Sequence, residues 1–398
     1  MDKYAQLEQQ YCSQNYERLP VTIIRGQGIY LYDTLNKQYF DFLSGYSVIN
    51  QGHCHPRLIQ VATEQLNKLT LCSRSFYNDK LAEFSEFICT KLGYEKVLPM
   101  NTGAEATETA IKLARKYAYE IKGVPANQAK IVVMNNNCMG RTLGAISGST
   151  DYYSYHNFGP LTGGFVNIPF NDVFAAQNIL QDPTICAILV EPIQGEAGVF
   201  VPDEGYLKKV NDLCKQANVL FIADEIQSGI GRSGKFLACD YEDLKPDLLL
   251  LGKAITGGVT ALSVVLGSSE IISLLKPGMH GSTYGGNPLT CAIAIEAIKI
   301  VEEEKLAQNA FEIGKLFREE ISNQLNEKAK AVRGKGLLNA IAFEEAVDTT
   351  HFCHELFHQG LLAKPTRNNA VRFTPPLSIK KDEMFEALKI IIATIKKL

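Results

Sequence analysis

The 398-residue chain is predicted to fold as an α/β protein, with a large domain built on a mostly parallel, doubly wound sheet and a smaller α+β domain at the C-terminus. Three observations predict this. Five short runs are apolar almost without interruption, longer amphipathic stretches separate them, and the last quarter of the chain abandons that alternation.

The apolar runs are KIVVM (Lys130 to Met134), ICAILVEP (Ile185 to Pro192), VLFIADE (Val219 to Glu225), DLLLLG (Asp247 to Gly252) and LSVVLG (Leu262 to Gly267). A strand needs continuous apolar character when helices cover both faces of its sheet, as they do in parallel sheets. The separating stretches, such as EATETAIKLARKYAYEI (Glu105 to Ile121) and GYLKKVNDLCKQAN (Gly205 to Asn218), carry helical patterns. Strand, helix, strand in sequence argues for right-handed βαβ units. After NPLT come a long helical stretch, the strand-like VRGKGLLNAIAF and AVRFTPP, and a closing amphipathic helix. The expected division is residues 1–45 as an N-terminal segment whose hairpin (GIYLYDTLNKQYFDF) packs with the small domain, 46–287 as the large domain and 288–398 as the small one.

Composition narrows the function. Hydrophobic residues at 46% and charged residues at 21% describe a globular protein and leave no case for wholesale disorder. Forty Lys and Arg against 43 Asp and Glu give a net charge of −3, so no nucleic-acid partner is expected and the substrate should be a small molecule. No apolar run approaches the roughly 18 residues that span a bilayer, so no membrane partner is expected. The N-terminus has no apolar signal region and carries acidic residues early. Ten cysteines without C-x-x-C spacing read as reduced thiols, and a cytoplasmic protein is expected.

In open α/β sheets, ligands sit beyond the carboxyl ends of the strands. Asp224 closes VLFIAD and Lys253 follows DLLLLG, so both fall there. A lysine and a carboxylate alone are commonly a surface ion pair. At two strand ends of one parallel sheet they suit a carbonyl cofactor, the amine bonding to it and the acid keeping a pyridine nitrogen protonated. A phosphate would suit Thr102, Gly103 and Ala104, directly before a helix whose free N–H groups and dipole favour an anion, although the same residues serve as a plain cap. His53, Cys54 and His55 crowd together in GHCHP, but neighbours on one strand point to opposite faces, and no metal site is expected.

LFIADEIQSGIGRSGK followed by KPDLLLLGKAITGG resembles the signature of class III aminotransferases, which are fold-type-I pyridoxal 5'-phosphate enzymes. NQGHCHP, LPMNTGAEATETAIKLARK, VEPIQGEAGV, HGSTYGGNPL, VRGKGLL and GLLAKPT…VRFTPPL are similar to the ornithine branch of that family, in order, from about Asn15 to near the C-terminus. The resemblance implies a ping-pong transfer of the δ-amino group of ornithine to 2-oxoglutarate; N-acetylornithine or 4-aminobutyrate as donor, or an aminomutase-like isomerase, are the alternatives.

Carried over by resemblance, Lys253 bonds covalently to the cofactor and shuttles the proton, Asp224 faces its pyridine nitrogen, and Gln227 its phenolic oxygen. Thr102, Gly103, Ala104 and Ser282 bind the cofactor, and Thr283 reaches its phosphate from the neighbouring subunit, which implies a homodimer. Tyr16 and Arg141 take ornithine's α-carboxylate, Tyr46 shapes the pocket, and Arg372 grips the α-carboxylate of 2-oxoglutarate. Glu196 masks Arg372 while ornithine reacts, which prevents binding in the wrong register. Two departures stand out. Cys138 and Met139 replace an aromatic pair of which the first stacks on the cofactor, so affinity should fall unless another residue compensates. Val259 to Ala261 replace Leu-Tyr-Pro after the lysine.

Overall fold

The structure is a computed structural model and describes residues 2–398. Three sheets organise it. The first holds β1 (Ile23–Gln27), β2 (Tyr30–Asp33) and β3 (Gln38–Asp41), an antiparallel meander. The second has seven strands: β4 (Lys96–Met100), β5 (Lys130–Met134), β6 (Phe165–Ile168), β7 (Ile185–Val190), β8 (Leu220–Asp224), β9 (Leu248–Leu251) and β10 (Ser263–Gly267). Their spatial order is β4-β10-β9-β8-β7-β5-β6. The third comprises β11 (Ala329–Lys335), β12 (Leu338–Phe343), β14 (Lys364–Thr366) and β15 (Ala370–Phe373), with the two-residue β13 (Leu361–Leu362) running parallel to β3 of the first sheet.

Within the seven-stranded sheet β5 to β9 pair in parallel, whereas β10 runs antiparallel to both β4 and β9. The apolar run at 262–267 gave no sign of that direction. Its cause lies in the connection: only a short 3₁₀ turn, Lys253–Thr256, stands between β9 and β10, and a parallel return needs a full crossover. β4 and β6 escaped the sequence reading for a related reason. Both are edge strands only partly buried, and β4 carries Pro99, which a central strand does not tolerate. β5 and β7 to β10 are buried nearly throughout, their side chains filling the space under helices such as Gly103–Tyr117 on one face and Tyr206–Gln216 on the other.

The helix Pro288–Glu303 packs against the helices Pro56–Leu66 and Asp79–Leu92, while Leu306–Ser322 lies on β11. No helix among the described residues is long and apolar enough to cross a membrane.

Candidate active site

At the carboxyl ends of β7, β8 and β9 lies a cavity of about 230 Å³, lined among others by Gly103, Cys138, Glu191, Glu196, Asp224 and Lys253. A larger space of about 850 Å³ shares Cys138, Glu196 and Lys253 with it and adds Tyr16, Tyr46 and Arg141. Residues spread over more than two hundred positions therefore meet in one place.

Lys253 follows β9 with a left-handed backbone (φ 46°), a conformation that costs a non-glycine residue about 1 kcal/mol or more. Burial lowers its pKa, which favours the neutral, nucleophilic amine. Asp224 ends β8, and its Oδ1 accepts a hydrogen bond from the Ile226 N–H (3.0 Å). Burial pushes its carboxyl up to about 6, and among the described residues no cation stands within ion-pair distance. A buried acid lacking a counter-charge is a fit for a protonated ring nitrogen.

Thr102 caps the helix Gly103–Tyr117 in a capping box: its hydroxyl accepts from the Glu105 N–H, while Glu105 Oε2 accepts from the Thr102 N–H (2.6 Å). Thr102 is thus committed to the cap, and it is Gly103 and Ala104 that line the cavity, with first-turn N–H groups that have no intrahelical partner. Ile226 packs its side chain on Gly103, where a Cβ would come within 3.1 Å of it.

Cys138 lines the cavity, and its N–H donates to Glu191 Oε2 (3.0 Å). Burial, with Glu191 and Glu196 nearby, pushes its thiol up to about 11, so it is neutral and poorly reactive. Met139 is buried and also lines the cavity, with its methyl against Gly148.

On the substrate side, Arg372 of β15 is buried and pairs through Nη1 with Glu196 Oε1. Gln227 Nε2 donates to the same oxygen (3.0 Å), so Gln227 belongs to this pair in the structure. Gly195 makes room for it: a Cβ there would fall 1.4 Å from Gln227 Oε1. Burial would raise the Glu196 pKa, but Arg372 and Lys253 overcome it and hold the acid at about 2. The Arg372 guanidinium lies 5.8 Å from the Tyr46 ring centroid, and its buried Nε has no hydrogen-bond partner among the described residues. Tyr46 sits in a left-handed turn in which Ser44, Gly45, Tyr46 and Ser47 all have positive φ (49°, 58°, 64° and 68°). Asp41 Oδ1 holds that turn by accepting from the Leu43 and Ser44 N–H groups (3.0 and 2.7 Å). Strain maintained this way is typical of residues fixed for function. Tyr16 and Arg141 are exposed on the wall of the larger space.

Ser282 and Thr283 do not line the cavity of their own chain. Ser282 Oγ accepts from Asn101 Nδ2 (2.7 Å), and Thr283 is exposed.

Glu191 escaped the sequence reading, although it follows β7 just as Asp224 ends β8. The strand-end argument applied to one carboxylate would have found the other. It is fully buried, and burial together with Asp224 pushes it up to about 8.

The model of the class III aminotransferases matches residues 11–395. The chain belongs to the class III aminotransferase family. It is 52% identical to the ornithine aminotransferase, mitochondrial, of Drosophila melanogaster, over 98% of this chain and 90% of that one. The solved ornithine aminotransferase of Toxoplasma gondii superposes with a TM-score of 0.97 at 45% identity, covering 99% of this chain and 94% of that chain. An acetylornithine aminotransferase from Elizabethkingia anophelis superposes at 0.90 with 47% identity, covering 99% and 98%. The fold is that of the fold-type-I enzymes, as the sequence predicted.

Proposed function

We propose that this chain is a pyridoxal-phosphate-dependent ornithine δ-aminotransferase that passes the amine to 2-oxoglutarate, releasing glutamate 5-semialdehyde, which cyclises to pyrroline-5-carboxylate, and then glutamate. The observation that carries the reading is two arginines in opposite settings: Arg372 buried behind Glu196, which lines the larger space, and Arg141 exposed on the wall of that space.

When bound, pyridoxal phosphate supplies an electrophilic carbonyl carbon and an electron-withdrawing ring. Lys253 would hold the cofactor, and its amine, made less basic by burial, takes the proton from the substrate carbon that bears the transferred amine. Asp224 would sit at the ring nitrogen, Gln227 at the phenolic oxygen, and Gly103 and Ala104 at the phosphate. The wall residue Ile226, already against Gly103, supplies apolar surface that Cys138 does not.

Ornithine has one carboxylate and two amines. With Arg372 masked, Arg141 and Tyr16 anchor the carboxylate in the outer space, and the δ-amine is the end that reaches Lys253. 2-Oxoglutarate has two carboxylates. Its α-carboxylate displaces Glu196 from Arg372, and its distal carboxylate takes Arg141.

Thr283 is exposed, which fits a role at the phosphate of a neighbouring subunit, so the working unit is a homodimer. The division into residues 1–45, 46–287 and 288–398 is retained in this reading, with the helix Pro288–Glu303 bridging the last two. All ten cysteines are unpaired, which supports a reducing compartment such as the cytoplasm; a place in arginine or proline metabolism follows from the proposed substrate alone.

The test is a single-turnover spectrum of the purified protein. Ornithine should abolish the visible absorbance of the bound cofactor, and 2-oxoglutarate should restore it. A response to N-acetylornithine or 4-aminobutyrate but not to ornithine would move the chain to a sister activity.

A further inference from the structure

Four charged or polar side chains, Asp151, Ser154, Arg141 and Arg367, cluster beside the outer space. Arg367 Nη2 pairs with Asp151 Oδ2 at 2.8 Å. The Ser154 hydroxyl donates to that oxygen as well, and Arg141 Nη1 donates to Ser154 Oγ at 2.7 Å. Arg141 itself stays 4.0 Å from Asp151 Oδ2, with 70% of its side chain exposed, against 23% for Arg367. Asp151 therefore has two arginines to choose from and pairs closely with only one.

Arg367 is well placed to win. Its backbone N–H reaches the Glu196 carbonyl (3.4 Å), beside that of Thr366 Oγ1 (2.6 Å), and its Nη1 reaches the Asn137 carbonyl (3.3 Å). It is thereby tied both to the loop that carries Glu196 and to the residue before Cys138. A side chain already ordered loses little further entropy in pairing with Asp151, whereas the exposed Arg141 would lose more.

We infer that Arg367 is a positioning residue that keeps Arg141 open to substrate carboxylates by occupying Asp151. The inference rests on the reading of Arg141 as the carboxylate anchor. Without the Arg367 charge, Asp151 would have one cation left within reach. Arg141 would close the remaining gap and become masked, as Arg372 is masked by Glu196. Asp151 and Ser154 then serve as a tether that orients Arg141, and Arg367 limits how tightly that tether draws it in.

Steady-state kinetics of the holoenzyme with ornithine test this. Arg367→Gln should raise KM for ornithine by ~5-fold with kcat little changed, the size expected of a partly exposed ion pair. Arg367→Lys, which keeps the charge, should stay near the parent KM. Adding Asp151→Asn to Arg367→Gln should bring KM back, because the competing carboxylate is gone. A purely structural role for Arg367 predicts the reverse, with the double variant worse than either single one. Equal KM in the Gln and Lys variants, or no recovery in the double variant, overturns the inference. Arg141→Gln is the control that separates the two layers. An unchanged KM there overturns the anchor reading itself, whereas a raised KM without recovery in the double variant overturns only the role of Arg367.

Discussion

Arg372 and Arg141 stand in very different settings, the first behind Glu196, which lines the outer space, and the second on the wall of that space. Arg372 is buried on a strand, 3% exposed, with Glu196 and Gln227 on its guanidinium. Arg141 lies in a loop, mostly exposed, with a hydroxyl as its close partner and the nearest carboxylate already taken by Arg367. A buried arginine needs its guanidinium satisfied, by carbonyl oxygens as at Arg232 or by a carboxylate as at Arg372, because an unpaired buried ion is costly. That requirement supplies the mask for nothing extra, and only a ligand bearing its own carboxylate can replace it. An exposed arginine is already solvated by water and stays available. Under the proposed function, that difference in burial would let the two arginines treat two carboxylates differently.

The largest effect should come from the buried corner. Arg372→Leu should slow return of the amine to 2-oxoglutarate by on the order of 100-fold while the ornithine half-reaction survives, as single-turnover spectra would show. Equal loss in both half-reactions would break the division of labour. Glu196→Gln should come next, raising the share of ornithine transaminated at the α-carbon by about tenfold, measured from the products. In the parent protein that share should not vary between about pH 6 and 9. Glu196 is depressed from 4.5 to about 2, so the pair's contribution is present above 4.5 and is lost only as pH falls towards 2.

Salt should separate the corners more finely. Raising ionic strength tenfold should raise KM for ornithine by ~2-fold through screening at exposed Arg141, and leave the α-to-δ product ratio, governed by the buried pair, unmoved. A separate, stability effect concerns the cavity floor. Glu191 is raised from 4.5 to about 8 by burial, so its contribution to stability is present below 4.5 and is lost as pH rises through 8. Calorimetry of the cofactor-free protein should show Tm falling over that window, less steeply in Glu191→Gln.

The sequence alone carried the fold class and the candidate pair at the strand ends. Short unbroken apolar runs between helical stretches fit strands of a covered sheet, and Asp224 and Lys253 stand directly at the ends of two of them. Thr102 and Glu105 wrote a capping box in four residues. Such features are legible because their partners are near in sequence or their pattern is periodic. The direction of β10, the edge strands β4 and β6 and the place of Glu191 were less so: the first depends on a missing crossover, the second on being only half covered, the third on which strand ends share a cavity.

The charge pairings were settled by the tertiary structure. Glu196 and Arg372 are 176 residues apart, and Arg367 reaches Asp151 across a similar separation. The sequence supplied every one of those side chains, and resemblance named the first pair. Which carboxylate touches which arginine, however, turns on differences such as 2.8 against 4.0 Å at Asp151, and ion pairing decays over those distances. Residue order holds no record of them; packing around the cavity sets them.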